Sequence, residues 1–183
     1  MVSHLPSTGS LASASRCPFA ALAVALVWGL APGSATASCW EEAGAAQGVD
    51  PLLLKAIAWK ESRGWTHAVG PALPGGNRAL GLMQINTIHL PDLERAGIRR
   101  DDLFDACTSQ RVGAWILARC ISDFGATWKA VGCYYAGPGS KNTRAQADYV
   151  LDVQRFYEGY QRQQRTASAR LADVSAEPAS PRN

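Results

Sequence analysis

A helix whose two ends are both marked in the sequence is predicted between Asp50 and Gly64. Asp50 is a favourable N-cap residue, and Pro51 follows it at the first helical position, where its missing N–H is not needed. Gly64 can adopt the left-handed conformation that ends many helices. The helix between them carries an apolar face, so any fold of this chain must bury that face against other elements.

The apolar face of this helix also carries a carboxyl group. At about 100° per residue, Leu54, Ile57 and Ala58 lie on one face, and Glu61 falls in the middle of it. Burial there would remove water from the carboxyl group and raise its pKa. An acid that stays protonated near neutral pH suits general acid catalysis. The alternative is that Glu61, which is close to the end of the helix, turns into solvent.

The first 37 residues have the features of a secretory signal peptide. Arg16 precedes the apolar run Phe19–Leu30, and Ala35–Ala37 offers a small-residue cleavage site. The run is shorter than the roughly 18 apolar residues of a membrane-spanning helix, although a retained anchor is the alternative. We therefore expect cleavage after Ala37 and a periplasmic protein.

Export would leave four cysteines in an oxidising compartment, where disulfides form. They are Cys39, Cys107, Cys120 and Cys133. Four cysteines allow three pairings, and the sequence alone leaves all of them open. Cys120 and Cys133 flank a turn-like segment and could close a helical hairpin, and Cys39 with Cys107 would then tie the mature N-terminus to a later helix. Because no C-x-x-C pair occurs, we expect no zinc site and no other metal.

The composition separates a compact domain from a tail. Residues 161–183 contain no aromatic residue and are rich in Arg, Ala, Ser and Pro, which predicts disorder. Residues 38–160 then form a single domain, in which 13 Lys and Arg balance 13 Asp and Glu. A neutral domain lacks the basic surface of a nucleic-acid binder. We expect a monomer with no nucleic-acid partner and no cofactor.

Helical periodicity dominates this domain. Apolar residues at helical spacing predict helices over 108–121 and 143–160, with another beginning at Thr127, whereas the Gly- and Pro-rich segment 68–80 is a loop. No convincing alternating strand is present, so at most a small β-hairpin is expected inside that loop. The predicted fold class is mainly α, in one disulfide-stapled domain.

Three short segments follow one another through the domain: Glu61-Ser62, Gly81-Leu82-Met83-Gln84-Ile85-Asn86 and Tyr134-Tyr135-Ala136-Gly137. This order resembles the soluble-type lytic transglycosylases, relatives of goose-type lysozyme. Those enzymes carry Glu-Ser at the end of a helix, then Gly-Leu-Met-Gln, then Tyr-Asn-Ala-Gly. The resemblance covers residues 39–160 and implies a lysozyme-like fold. Compact size, a leader and paired cysteines resemble the specialised members associated with type III secretion, conjugation or pilus assembly.

The resemblance implies a role for each matching residue. Glu61 would be the single catalytic acid and base, with Ser62 beside it to position the substrate or the carboxyl group. Gly81 would allow close approach of the backbone, and Tyr134 would present its hydroxyl near Glu61. The residues that would bind substrate are Ser62, Gly81, Met83, Gln84, Asn86 and Tyr134.

Structural roles remain open for several of these residues, and the sequence also departs from the family pattern. Met83 could belong to the core, Gln84 and Asn86 could be turn residues, and Tyr134 could be a buried residue of the core.

Tyr135 stands where the family usually has Asn, and the residue before the motif is a cysteine rather than Ala. These departures bear on the shape of the cleft.

The resemblance implies a peptidoglycan lytic transglycosylase. Such an enzyme cleaves the β-1,4 bond between N-acetylmuramic acid and N-acetylglucosamine and forms a 1,6-anhydro product. Its partners would be glycan strands, together with components of a secretion or pilus apparatus for which it opens the wall locally. The alternatives are a muramidase-type hydrolase that releases reducing ends, or a non-catalytic peptidoglycan-binding assembly protein.

Overall fold

The computed structural model describes residues 38–176 of the 183-residue chain. The predicted signal peptide and its cleavage after Ala37 lie outside the described residues, as does the end of the predicted tail. Within 38–176, none of the helices combines the length and the apolar character needed to cross a membrane.

Helices and one small sheet make up the described part of the chain. The elements are α1 (Cys39–Gln47), α2 (Pro51–Ser62), β1 (Ala79–Leu80), β2 (Ile85–Asn86), α3 (Leu90–Arg95), α4 (Ala106–Phe124), α5 (Trp128–Ala136) and α6 (Thr143–Ala176). Three 3₁₀ turns connect them, at Pro74–Gly76, Thr87–His89 and Arg100–Phe104. The prediction of a mainly α fold with at most a small hairpin is confirmed, but the hairpin begins at the end of the 68–80 loop and extends to Asn86 rather than lying inside that loop.

The hydrophobic core lies between the helices. Helix α2 packs against α1 and α6, and α4 packs against α1 and α5. Leu54 and Ile57 of α2 are fully buried there, together with Leu117 of α4 and Val153 of α6. The face of α2 that the sequence marked as apolar is therefore the face that enters the core.

Helix α2 begins as predicted and ends one residue earlier than predicted. The Asp50 carboxylate accepts a hydrogen bond from the Leu52 N–H at 2.8 Å. At the other end, Arg63 rather than Gly64 takes the left-handed position, with φ of 55°. The Arg63 guanidinium lies 5.0 Å from the centroid of the Phe156 ring, within the range of a cation–π contact.

The hairpin holds the second sequence motif. Strands β1 and β2 are antiparallel, with Ala79 opposite Asn86 and Leu80 opposite Ile85. The turn between them is Gly81–Gln84. Because both strands are only two residues long, the hairpin depends on packing against the helices beside it.

Two disulfides join the helices, and they select one of the three pairings that the sequence left open. Cys39 bonds to Cys107 and ties α1 to α4, while Cys120 bonds to Cys133 and ties α4 to α5. Closing loops of this size stabilises the folded chain by about 3 to 4 kcal/mol each in the chain-entropy model.

Helix α6 continues well past Tyr160, which corrects the prediction of disorder from residue 161. It runs to Ala176, and residues 162–175 are exposed to solvent. No Gly or Pro interrupts the segment between Tyr160 and Ala176, and its Gln, Arg and Ala residues favour helix. Lack of apolar residues argues against a packed core, but it does not stop a helix that is already nucleated from continuing.

Candidate active site

Glu61 lies at the C-terminal end of α2 and faces a cleft of about 460 Å³. One wall comes from the hairpin and the turn after it, and the other from α4 and α5. The polar and aromatic side chains along these walls include Gln84, Asn86, His89, Arg119, Asp123, Tyr134 and Tyr135. The Cys120–Cys133 disulfide forms part of the same wall.

The carboxyl group of Glu61 is withdrawn from water. Burial raises its pKa from 4.5 to about 7, and this effect outweighs the hydrogen bond from Tyr149 and the charge of Lys60, which both lower it. Glu61 can therefore keep its proton close to neutral pH, where an ordinary carboxyl group is ionised. The alternative in which Glu61 turns into bulk solvent is not what the structure shows.

Tyr149 fixes the position of the carboxyl group. Its hydroxyl donates a hydrogen bond of 2.6 Å to Oε1 of Glu61, and the residue is 3% exposed. Burial, followed by the neighbouring charge of Glu61, raises the pKa of Tyr149 well above 10, so the hydroxyl keeps its proton and remains a donor. A second tyrosine close by, Tyr134, is affected in the same way.

Tyr134 lines the cleft, but its hydroxyl is engaged elsewhere. It donates a hydrogen bond of 2.8 Å to the backbone carbonyl of Met83. Tyr134 therefore connects α5 to the Gly81–Gln84 turn, in addition to presenting its ring near Glu61.

Ser62 also holds the turn rather than lining the cleft. Its hydroxyl lies 2.7 Å from the carbonyl oxygen of Leu82 and donates to it. A longer contact of 3.3 Å joins the same hydroxyl to the carbonyl of Ala58, one helical turn earlier. The Glu-Ser pair thus couples the acid directly to the position of the second motif.

Met83 and Gly81 face the protein interior, so Met83 takes the core role that the sequence left open rather than the cleft-lining role that the resemblance implied. Met83 is fully buried, and its N–H donates to Ser109 Oγ at 3.0 Å. Gly81 has φ of 74°, and a Cβ there would lie 2.0 Å from the carbonyl oxygen of Leu103. The close approach at Gly81 is therefore to the protein's own backbone. Met83 and Gly81 therefore pack against the protein interior behind the cleft.

Gln84 and Asn86 do line the cleft, and each also fixes the local backbone. Gln84 Nε2 donates to the carbonyls of Ala68 (3.1 Å) and Gly81 (3.0 Å). Asn86 Oδ1 accepts from the Ile88 N–H at 3.0 Å. The turn role and the cleft role, treated as alternatives from the sequence, coincide at these two residues.

No motif or spacing in the sequence assigns Tyr149 to the site. Tyr149 lies within the helix predicted over 143–160, and 88 residues separate it from Glu61. Asp123 and His89 were likewise not identified, since neither belongs to a motif. Residues 38–176 contain no cluster of three side chains suited to hold a metal ion.

The similarity to known proteins extends across the domain. Residues 38–156 match the family model described as the transglycosylase SLT domain. The X polypeptide of Escherichia coli is 38% identical over 124 residues, which are 66% of this chain and 73% of that protein. The invasion protein IagB of Salmonella typhimurium is 36% identical over 135 residues, covering 73% of this chain and 84% of IagB.

A solved structure has the same fold. The inactive mutant of the lytic transglycosylase Slt from Pseudomonas aeruginosa superposes with a TM-score of 0.57 at 23% identity. The matched region is 69% of this chain and 24% of Slt, so the chain spans about a quarter of that protein's length. At this identity, the likeness shows a shared lysozyme-like fold.

Proposed function

The chain belongs to the transglycosylase SLT domain family, the peptidoglycan lytic transglycosylases, and we propose that its cleft cleaves the β-1,4 bond between N-acetylmuramic acid and N-acetylglucosamine with formation of a 1,6-anhydro product. This proposal rests on the position and the raised pKa of the Glu61 carboxyl group. This group faces the cleft, has a pKa of about 7 and is held by Tyr149. Such a group can give up a proton and take one back at neutral pH.

The proposed reaction uses Glu61 twice. Protonated Glu61 first donates to the glycosidic oxygen while the bond to C1 of the muramic acid breaks, and the leaving sugar departs with that proton on its 4-hydroxyl. The Glu61 carboxylate then takes the proton of the muramic acid's own C6 hydroxyl. The C6 oxygen bonds to C1, which closes the anhydro ring and returns Glu61 to its protonated form.

The surroundings of Glu61 support an intramolecular nucleophile. A retaining hydrolase with an enzyme nucleophile places a second carboxyl group about 5 Å from the acid. Burial, Tyr149 and Lys60 are the influences on the pKa of Glu61, and no second carboxylate of residues 38–176 is among them. The C6 hydroxyl of the substrate makes such a carboxylate unnecessary.

Product analysis tests this proposal. Purified sacculi digested by the enzyme should yield muropeptides with 1,6-anhydro ends, which are lighter by one water than reducing ends and are separated by mass spectrometry. Reducing ends would instead indicate the muramidase alternative, for which Asp123 is the carboxyl group already in the cleft. An Asp123→Asn variant is the matched control, because a transglycosylase that relies on Glu61 should still form anhydro ends without it.

The pH dependence provides a second test. Glu61 must be protonated in the free enzyme, so kcat/KM should fall about tenfold per pH unit above its pKa of about 7. The Tyr149 hydroxyl lowers this pKa, so Tyr149→Phe should move the alkaline limb to higher pH. Tyr157→Phe is the control, since the Tyr157 hydroxyl donates to Asp50 away from the cleft. An alkaline limb that stays in place, or moves to lower pH, in Tyr149→Phe would contradict the assignment.

We also propose that the enzyme acts in the periplasm, after removal of residues 1–37, and opens the wall locally for a secretion or pilus apparatus. The similarity to a protein named as an invasion protein supports this role. Glycan strands are the proposed substrate, and the apparatus components are the proposed partners.

A further inference from the structure

One aromatic ring in the cleft has no part in the chemistry described above. Tyr135 follows Tyr134 on α5, lines the cleft and is 50% exposed. Its ring stacks on the ring of Tyr149, with centroids 4.7 Å apart and planes 19° from parallel. We propose that Tyr135 is a glycan-binding residue, which presents the free face of its ring to the apolar face of a sugar. This inference rests on the proposed function and names how that site holds its substrate.

The stack leaves one face of the Tyr135 ring available. Tyr149 covers the opposite face and is itself buried, with its hydroxyl bonded to Glu61. The exposed surface of Tyr135 therefore includes the outer face and edge of its ring, and the residue lines the cleft. Because its orientation is fixed before a ligand arrives, little side-chain entropy is lost on binding.

A sugar ring of a β-1,4-linked glycan suits this surface. Its axial C–H groups point away from the ring face and carry partial positive charge, while the face of an aromatic ring is negative. Asn, the usual residue of the family at this position, offers hydrogen bonds but no such face. Tyr135 and Glu61 line the same cleft and both contact Tyr149, so a sugar stacked on Tyr135 would occupy the cleft in which Glu61 acts.

A supporting role is the alternative explanation for the same contact. If Tyr135 served only to hold Tyr149, its loss would disturb the hydrogen bond to Glu61 and therefore change kcat and the pH profile. A binding residue changes ligand affinity and KM instead. The two roles therefore differ in which kinetic constant responds.

The experiment compares Tyr135→Ala, Tyr135→Asn and Tyr135→Phe. In a Glu61→Gln background, titration calorimetry with chitotetraose should show affinity weakened about tenfold by Ala and Asn and kept within about twofold by Phe, which retains the ring. In the active enzyme, KM for soluble glycan strands should rise in the same order, with kcat and the alkaline limb unchanged. Trp65→Ala is the control, because Trp65 is 64% exposed and lies outside the cleft lining.

Each result decides the question. Unchanged affinity in Tyr135→Ala, or a fall in kcat with a shifted pH profile at constant KM, overturns the inference. Absence of chitotetraose binding by the Glu61→Gln parent also overturns it. Failure of the proposed function is separate: an enzyme that produces no anhydro ends would refute the reaction, while the binding measurement would still report on Tyr135. Thermal unfolding of each variant confirms that the fold is retained.

Discussion

Glu61→Gln should reduce the rate of glycan cleavage by at least about 10³-fold, because in the proposed reaction one side chain supplies both the acid and the base, and general acid–base catalysis contributes roughly 10² to 10⁴-fold. The amide has the shape of the carboxyl group, and its carbonyl oxygen can still accept the hydrogen bond of Tyr149. It cannot donate a proton to the leaving oxygen or remove one from the C6 hydroxyl. The measurement is the release of soluble muropeptides from purified sacculi.

The stability of this variant separates loss of chemistry from loss of fold. The pKa of Glu61 is raised on folding from 4.5 to about 7, so the folded state binds more protons than the unfolded state between these values. The contribution of Glu61 to the free energy of unfolding therefore decreases as pH rises through this window. Glu61→Gln should lack this part of the decrease and should melt no lower than the parent above pH 7.

Glu158→Gln is the matched control for this substitution. Glu158 is an exposed carboxylate on α6, paired with Arg162 at 3.8 Å, and an exposed pair of this kind contributes little to stability. Its amide variant should cleave sacculi at the parental rate. Normal cleavage by Glu61→Gln would remove the basis of the proposed reaction.

Gly81→Ala should have the largest effect on stability. Its Cβ would lie 2.0 Å from the Leu103 carbonyl oxygen, and both partners are backbone, so neither can move without displacing the hairpin or the turn before α4. The backbone at Gly81 also has φ of 74°. We expect the free energy of unfolding to fall by more than about 3 kcal/mol, a decrease in Tm of about 10 °C, measured by circular dichroism.

Comparison with Gly97→Ala separates the steric clash at Gly81 from the cost of the left-handed backbone conformation. Gly97 has φ of 78°, and a Cβ there would have no atom within 4 Å, so its substitution carries the conformational cost of about 1 to 2 kcal/mol alone. The difference between the two variants measures the clash with Leu103. If Gly81→Ala and Gly97→Ala were equally stable, the Leu103 carbonyl would have moved away from the new Cβ at little cost. A stable Gly81→Ala with weakened glycan binding would restore the substrate-approach role implied by the resemblance.

Local signals account for what the sequence predicted well. The N-cap at Asp50 and the periodicity of Leu54 and Ile57 depend on neighbours within a few residues, and α2 forms where they indicate. The position of Glu61 on that face then implied burial and a raised pKa, as the structure has it.

Contacts between residues far apart in the sequence could not be predicted from the sequence. Nothing in the spacing connects Tyr149 to Glu61, because their contact depends on how α6 crosses α2. Within the second motif, Met83 enters the core and Gln84 faces the cleft because the tight turn rotates adjacent side chains apart, with Gln84 in the left-handed conformation at φ of 48°. A motif match identifies such residues, but it does not show which of their side chains point into the core and which into the cleft.

The Cys120–Cys133 disulfide has a consequence for where this protein can work. Since the bond is built into the wall that carries Tyr134 and Tyr135, its reduction would release α5 from α4 at the cleft that Glu61 faces. In a thiol-rich environment such as the cytosol, that wall is maintained by non-covalent contacts only. The covalent link therefore makes the shape of this cleft sensitive to the redox chemistry of its surroundings.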